Sequence, residues 1–177
     1  SWVGVSPHKI RTGMLPPEEY VRITQEAGHL GQAPIFIDDT PSPSLREIRA
    51  KTRRLKAKYN IGLLIIDYLQ LLEGADGQRN ENRQQEVSQI SRGFKTIASE
   101  FNIPVIALSQ LNRSVDARDD HRPRLSDLRE SGALEQDADM ILFLYREEYY
   151  NKECKDHGIS EVIVGKHRNG PTGDVKL

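Results

Sequence analysis

The stretch LLIIDYLQLL, from Leu63 to Leu72, places one aspartate, Asp67, inside a run of apolar residues. A continuous apolar run, rather than an alternating one, is typical of a parallel strand that is covered on both faces. Burying a carboxylate costs several kcal/mol unless a cation or hydrogen-bond donors accompany it. We therefore predict a buried strand that ends at Asp67, and a positive group that pairs with its carboxylate.

The residues after this strand predict a repeating strand and helix order. A long helix is predicted in NRQQEVSQISRGFKTIASEFN, and a second buried strand in IPVIALSQL. The helix carries apolar residues at alternating spacings of three and four, which predict one buried face: Val87, Ile90, Phe94, Ile97 and Phe101. MILFLYR and EVIVGKHR read as later strands, and NGPTG is a tight turn before DVKL. The predicted fold class is α/β, a largely parallel sheet flanked by helices, with a C-terminal β-hairpin.

The amino-terminal part predicts two helices and a short strand. LPPEEYVRITQEAGHLG reads as a helix opened by proline and ended near Gly28 and Gly31, and APIFIDDTP as a strand. SPSLREIRAKTRRLKAKYN reads as a helix capped by Ser44. That helix holds seven basic residues between Arg46 and Lys58 and one acid. Its basic face is either simply solvated or a contact with a subunit or nucleic acid.

Composition limits the classes of function. The 177 residues suit one domain, and the net charge of −1 creates no overall field toward nucleic acid or membrane, so a nucleic-acid site would be local. Cys154 is the only cysteine, which excludes a disulfide framework and weakly fits a reducing cytoplasm. No apolar run reaches membrane-spanning length. Because the chain begins without Met and ends in an apparent strand, we expect residues 1–177 to be a single, partial domain.

Polar residues close two of the predicted strands. Asp67 ends the first and Gln110 follows the second, and ligands of parallel α/β sheets bind at such carboxyl ends. An aspartate after an aliphatic strand is the Walker B arrangement, which holds Mg²⁺, usually through water. The alternative is that Asp67 caps the following turn. The phosphate loop G-x-x-x-x-G-K-[ST] is not found, because the one Gly-Lys pair, Gly165-Lys166, precedes His167.

Four segments together resemble the bacterial replicative DNA helicases of the DnaB family: LLIIDYLQLL, NRQQEVSQISRGFKTIASEFNIPVIALSQLNR, LSDLRESGALEQDADMILFLYR and VGKHRNGPTG. The resemblance implies a RecA-like ATPase core that forms a homohexameric ring around single-stranded DNA and moves along it by ATP hydrolysis. It also implies ATP and Mg²⁺ as cofactors, a cytoplasmic location, and contacts of the full-length protein with primase and a helicase loader in the primosome.

The resemblance implies roles for individual residues. Asp67 would organise magnesium, and Gln110 would sense the γ-phosphate. Lys166 and Arg168 would reach the ATP site of the next subunit, with Arg168 as the arginine finger. These two cations lie at i and i+2 of a strand, so their side chains face the same side. The alternative interpretation is that they are surface charges on a solvated sheet edge.

The segment DLRESG resembles part of the family's central DNA-binding loops. Arg129, Glu130 and Gly132 are the positions that the resemblance implies as DNA backbone contacts. Taken alone, Arg129 and Glu130 also fit an ordinary surface ion pair.

The chain also departs from the family pattern. The family's phosphate loop, its upstream catalytic glutamate and its primase-binding domain are not found in residues 1–177, so we expect the isolated chain to be inactive as an ATPase. Two other functions remain open: a RecA-type recombinase-like ATPase, and a non-catalytic RecA-like interaction domain that has lost nucleotide binding.

Overall fold

The computed structural model describes residues 4–72 and 83–177, which divide into two compact units, Ser1–Asp39 and Thr40–Leu177. That residues 1–177 form a single domain stays a prediction. Along the described residues, no helix has both the length and the apolar character needed to cross a bilayer.

The first unit contains α1 (Pro7–Thr12) and α2 (Pro17–Gln32). Lys9 Nζ of α1 donates a hydrogen bond to Glu19 Oε1 of α2 at 2.9 Å.

Helix α2 ends at Gln32, one residue beyond the predicted Gly31, and the proline at position 34 favours the extended conformation of the preceding Ala33. One expectation for this unit is wrong. The strand predicted in APIFIDDTP does not form: residues 34–40 are not paired with any described strand.

The second unit begins with α3 (Leu45–Tyr59), which has the predicted serine cap. Ser44 and Glu47 form a reciprocal capping box. Strand β1 (Leu64–Ile66) follows, then α4 (Arg83–Phe101) and β2 (Val105–Ala107). The two strands pair in parallel, with Leu64 opposite Val105 and Ile66 opposite Ala107.

The predicted face of α4 forms the main core. All five of its periodic apolar residues, from Val87 to Phe101, are buried. Ile90, Phe94, Ile97 and Phe101 pack in one cluster with buried residues of α3, β1 and the chain that follows β1: Ile48, Ile66, Leu69 and Leu72. Helix α4 therefore packs against the parallel pair through its predicted face.

Two expectations for β1 are wrong. The strand pair is not covered on both faces by described residues, because α3 and α4 pack on one side only; Ile65 is 57% exposed and Ile106 is 51% exposed. Asp67 is exposed rather than buried, because the strand ends at Ile66 and Asp67 lies beyond it, at the carboxyl edge of the pair. Its carboxylate is in water, so there is no burial cost to offset.

A second sheet contains β3 (Met140–Tyr145), β4 (Glu161–His167) and β5 (Gly173–Lys176), all antiparallel. The C-terminal hairpin of β4 and β5 is as predicted, and the α/β class is confirmed. The sequence did not reveal that β3 pairs with β4 instead of extending the parallel pair. Before β3 lie a 3₁₀ helix (Leu125–Ser131) and α5 (Gly132–Asp137), and after it α6 (Glu147–Tyr150).

The pairing of β3 with β4 contains a bulge. Ile141 lies opposite Lys166 and Leu142 opposite Val164, so Gly165 is an extra residue without a partner. A Cβ atom at Gly165 would lie 2.5 Å from Cε2 of Phe143, which is buried with Leu128 and Ile141 in a second core cluster. Only glycine fits this close approach without moving the phenyl ring.

We predict that Gly165→Ala destabilises the chain by about 1–3 kcal/mol, because the added methyl group overpacks the second core. The midpoint of urea denaturation measures the effect. Gly62→Ala is the matched control, since a Cβ atom there meets no heavy atom within 4 Å. Equal midpoints for both variants would contradict the close approach at Gly165.

Candidate functional site

The carboxyl ends of β1 and β2 lie at the same edge of the parallel pair. Hydrogen bonds continue the pairing beyond β2: Leu108 N donates to Ile66 O at 2.9 Å, and Leu69 N donates to Leu108 O at 3.0 Å. Asp67 and Gln110 are therefore brought to one edge, as predicted, and both are exposed. The peptide bond after Asp67 is cis.

Gln70, which was not predicted from the sequence as a site residue, connects the two strand ends. Its side-chain Nε2 donates to Gln110 O at 3.3 Å and to Ser109 Oγ at 3.1 Å. Its Oε1 accepts from Gln110 N at 3.3 Å. The Gln70 amide thus satisfies both backbone groups of Gln110. The available signal was a polar residue within the apolar run, three positions after Asp67.

The strand-end edge offers oxygen ligands but no closed metal cage. Among residues 4–72 and 83–177, no three His, Cys, Asp or Glu side chains form a group that could hold a metal ion. Mg²⁺ in nucleotide sites usually needs only one or two carboxylates, together with waters and phosphate oxygens. An exposed Asp67 at the same strand edge as Gln110 fits that chemistry.

Lys166 and Arg168 lie at the end of β4, and both contact the carboxyl end of α5. Lys166 Nζ donates to Glu135 O, and to Gln136 O at 3.2 Å. Arg168 Nη2 donates to Gln136 O at 2.6 Å. Helix carboxyl ends leave carbonyl groups unpaired, and cations satisfy them. The two side chains share one side of the sheet, as their i and i+2 spacing predicts.

A carboxylate beside these two cations was also missed from the sequence. Asp139 Oδ1 lies 3.4 Å from Arg168 Nη1, and the Arg168 backbone N donates to Asp139 O at 2.9 Å. Lys95 of α4 forms an ion pair with Asp139 Oδ2. The hydrogen bond from Lys95 is the main cause that lowers the pKa of Asp139, helped by the charges of Lys95, Arg168 and Lys166.

The four residues predicted to serve the nucleotide thus form two groups. Asp67 and Gln110 share the edge of the parallel pair, whereas Lys166 and Arg168 share the end of α5. The hydrogen bonds described for each group stay within that group.

The segment with the predicted DNA contacts lies directly before and at the start of α5. Arg129 and Glu130 belong to the 3₁₀ helix Leu125–Ser131, but their side chains lie outside the part that the structure describes. Gly132 begins α5 with a helical backbone and is half-buried. Whether this pair of residues forms a surface ion pair or contacts DNA therefore stays a prediction.

The start of the same 3₁₀ helix is anchored by a buried acid. Asp127 is 5% exposed, accepts a hydrogen bond from the backbone N of Arg124 at 2.7 Å, and pairs with Arg118. Asn112 N donates to Asp127 O at 3.1 Å. This buried pair connects the long charged loop to the candidate DNA-contacting segment.

The basic helix α3 uses part of its charge within the chain. Arg49 Nε and Arg53 Nη2 pair with Glu100 of α4 at 2.6 and 2.7 Å. Hydrogen bonds from Arg53 and then Arg49 lower the pKa of Glu100. These two arginines therefore attach α3 to α4, and a contact between the rest of that face and a subunit or nucleic acid stays a prediction.

The chain has clear relatives. The family model described as DnaB-like helicase C terminal domain matches residues 1–177. A Geobacillus stearothermophilus protein named Replicative DNA helicase DnaB is 54% identical over 173 residues, which is 98% of this chain and 38% of that protein. The Bacillus subtilis (strain 168) protein named Replicative DNA helicase DnaC is 52% identical, with the same coverage. The chain thus spans under two fifths of the length of these relatives.

Two solved structures share the fold. One, described as an ATPase domain, is 46% identical with a TM-score of 0.92, and the match covers 99% of this chain and 62% of that chain. The other, described as a DnaB-like replicative helicase and its interactions with primase, has the same identity and TM-score, and the match covers 99% of this chain and 42% of that chain. Sequence and structure agree: the chain belongs to the DnaB-like helicase C-terminal domain family.

Proposed function

We propose that this chain is part of an ATP-dependent, homohexameric replicative DNA helicase that moves on single-stranded DNA and unwinds the duplex at the replication fork. The proposed location is the cytoplasm. Relatives at about half identity that are named replicative DNA helicases support the proposal. They also favour it over the recombinase-like alternative.

The observation that carries the proposal is the shared edge of β1 and β2. Parallel register and the Gln70 bridge bring Asp67 and Gln110 to the same carboxyl edge, where nucleotides bind in α/β sheets. A structural cap would not require a second polar residue beside it.

The proposed chemistry assigns one task to each side chain. When bound, Mg²⁺ neutralises charge on the nucleotide phosphates. Asp67 would hold that ion through water, and Gln110 would donate its amide hydrogens to the γ-phosphate. Arg168 would donate to the phosphate oxygens of the neighbouring subunit's nucleotide, because a guanidinium stays charged and offers paired N–H groups. Lys166 would add a second positive charge there.

The separation of the two groups supports a site shared between subunits. Gln70, three residues after Asp67, bonds to the backbone of Gln110, whereas Lys166 and Arg168 contact α5 instead. The Arg168 side chain is 46% exposed and contacts one main-chain oxygen, Gln136 O, and the Asp139 carboxylate, as expected of a cation whose phosphate is elsewhere.

The proposed DNA contacts are Arg129, Glu130 and Gly132, at the entry to α5. Contacts to phosphates carry no sequence information, which suits a protein that must move along any sequence. One of the two solved relatives is described together with its interactions with primase. We propose primase and helicase-loader contacts for the longer protein that contains this chain.

The second candidate function, a non-catalytic interaction domain, makes a different prediction for the full-length protein. It predicts no magnesium-dependent ATP hydrolysis, whereas the helicase proposal requires it. One steady-state ATPase assay with and without Mg²⁺ separates the two.

The first prediction from the proposed function concerns Asp67. In the full-length protein, Asp67→Asn should abolish magnesium-dependent ATP hydrolysis while the melting temperature stays the same, because an exposed carboxylate contributes little to folding. Asp119→Asn, in an exposed loop, is the control and should keep its activity. Normal turnover by a folded Asp67→Asn hexamer would show that Asp67 does not serve the nucleotide.

The second prediction concerns DNA. Arg129→Ala in the full ring should weaken single-strand binding about equally for all sequences, and should flatten the salt dependence by a slope of roughly one per lost phosphate contact. Fluorescence anisotropy over a salt series measures both effects, with Arg22→Ala on α2 as control. A loss confined to particular base sequences would mean that Arg129 reads bases.

The third prediction concerns Arg168. Arg168→Ala should leave ATP binding nearly unchanged and reduce hydrolysis by ~10³-fold or more, because the finger acts on charge in the transition state. Rings mixed from Asp67→Asn and Arg168→Ala subunits contain some interfaces with both wild-type residues. Those rings should recover ATPase activity that neither variant has alone.

If mixed rings are verified by mass and remain inactive, either Arg168 does not act in trans or hydrolysis needs every interface. A ring of linked subunits with one wild-type interface separates these outcomes. Activity in that ring would support the trans assignment, and inactivity would reject action at a single interface.

A further inference from the structure

Asp139 occupies the position from which Arg168 can be oriented. Its backbone oxygen accepts from the Arg168 backbone N at 2.9 Å, and its carboxylate lies 3.4 Å from the same residue's guanidinium. Asp139 thus contacts both the side chain and the backbone of Arg168. Gln136 O, at the end of α5, accepts a hydrogen bond from Arg168 Nη2 at 2.6 Å.

The carboxylate of Asp139 is itself held from a third element. Lys95 of α4 pairs with one of its oxygens, and the other oxygen faces Arg168. Ser91, one turn earlier on α4, donates to Asp137 Oδ2 at 2.8 Å. Helix α4 therefore contacts two separate acids, Asp137 at the end of α5 and Asp139 directly before β3.

The Asp139 contacts are better suited to orienting Arg168 than to stabilising the fold. The Asp139 side chain is 63% exposed and those of Lys95 and Arg168 are 46% exposed, and ion pairs in water contribute little to folding. Because its ion pair with Asp139 is weak, the Arg168 guanidinium can exchange that carboxylate for a phosphate. The carboxylate is ionised at neutral pH, as an exposed aspartate ordinarily is, and the hydrogen bond from Lys95 lowers its pKa further.

We propose that Asp139, held by Lys95, is a positioning residue that orients Arg168 toward the nucleotide of the neighbouring subunit. The inference rests on the proposed function of Arg168 and adds to it the residues that aim the guanidinium. Alignment of a catalytic group before reaction lowers the entropy cost of the transition state. Asp139 touches no reacting atom, so its effect should appear in turnover and not in nucleotide affinity.

The test uses the full-length ring-forming protein with Asp139→Asn, which keeps the size of the side chain but removes its charge. We expect kcat for ATP hydrolysis to fall about tenfold while KM changes less than about twofold. Affinity for a non-hydrolysable ATP analogue should stay the same, and affinity for ADP–aluminium fluoride should fall by the same factor as kcat. Asp139→Glu should restore part of the loss.

Asp174→Asn is the matched control. Asp174 on β5 is also an exposed acid paired with an arginine, Arg122, but it has no contact with Arg168. That variant should keep wild-type kcat. If Asp139→Asn proves unfolded, Lys95→Met replaces it, since it leaves Asp139 in place without its anchor and should lower kcat in the same direction.

Mixed rings add a readout that a purely structural role would not produce. Asp139→Asn subunits should recover activity with Asp67→Asn subunits, because Asp139 and Arg168 serve the same side of the interface. They should not recover it with Arg168→Ala subunits. Wild-type kcat in Asp139→Asn while Arg168→Ala is impaired would overturn this inference alone, whereas full activity of Arg168→Ala would overturn the proposed function beneath it.

Discussion

The packing of α4 on one face of the β1–β2 pair is the constraint on which the rest of the unit Thr40–Leu177 depends. Its buried stripe holds two short parallel strands that have only a few backbone hydrogen bonds of their own. Parallel strands cannot be joined by a tight turn, so the connecting helix must also supply their register. Once α4 is seated, the carboxyl ends of both strands lie together, and Asp67 and Gln110 come with them.

Two polar residues next to the apolar stripe of α4 contact the segment that leads into the second sheet. Lys95 and Ser91 contact acids on either side of the α5–β3 junction, and these residues are near Arg168. One helix therefore adjoins both groups of candidate site residues. The apolar stripe packs on the strands, whereas Ser91 and Lys95 make polar contacts with Asp137 and Asp139, so the two sets of contacts can be changed separately by mutation.

Features that depend on local periodicity could be predicted from the sequence. The stripe of α4, the Ser44 cap and the two strand ends are each specified by residues within one element. Burial of β1 could not be predicted correctly, since the apolar run continues into a 3₁₀ helix, and Leu69 and Leu72 reach the core without being in a strand. Apolar neighbours in the sequence did not mean burial for Asp67.

Contacts between distant parts of the chain left no such signal. Lys95 and Asp139 are 44 residues apart, and Gln70 and Gln110 are 40 residues apart. Each is a common polar residue in a polar or mixed context, and only the folded chain identifies its partner. The pairing of β3 with β4 was missed for a similar reason, because apolar strands of either direction have the same composition.

The unpaired glycine in β4 also determines the direction in which two charges point. Side chains along a strand alternate between its faces, so one additional residue reverses the face of every residue that follows it. Lys166 and Arg168 both follow Gly165. A chain one residue shorter at this point would carry the same two cations on the opposite face, away from α5. The number of residues in the strand, and not its composition, therefore selects the face of the sheet that carries the positive charge.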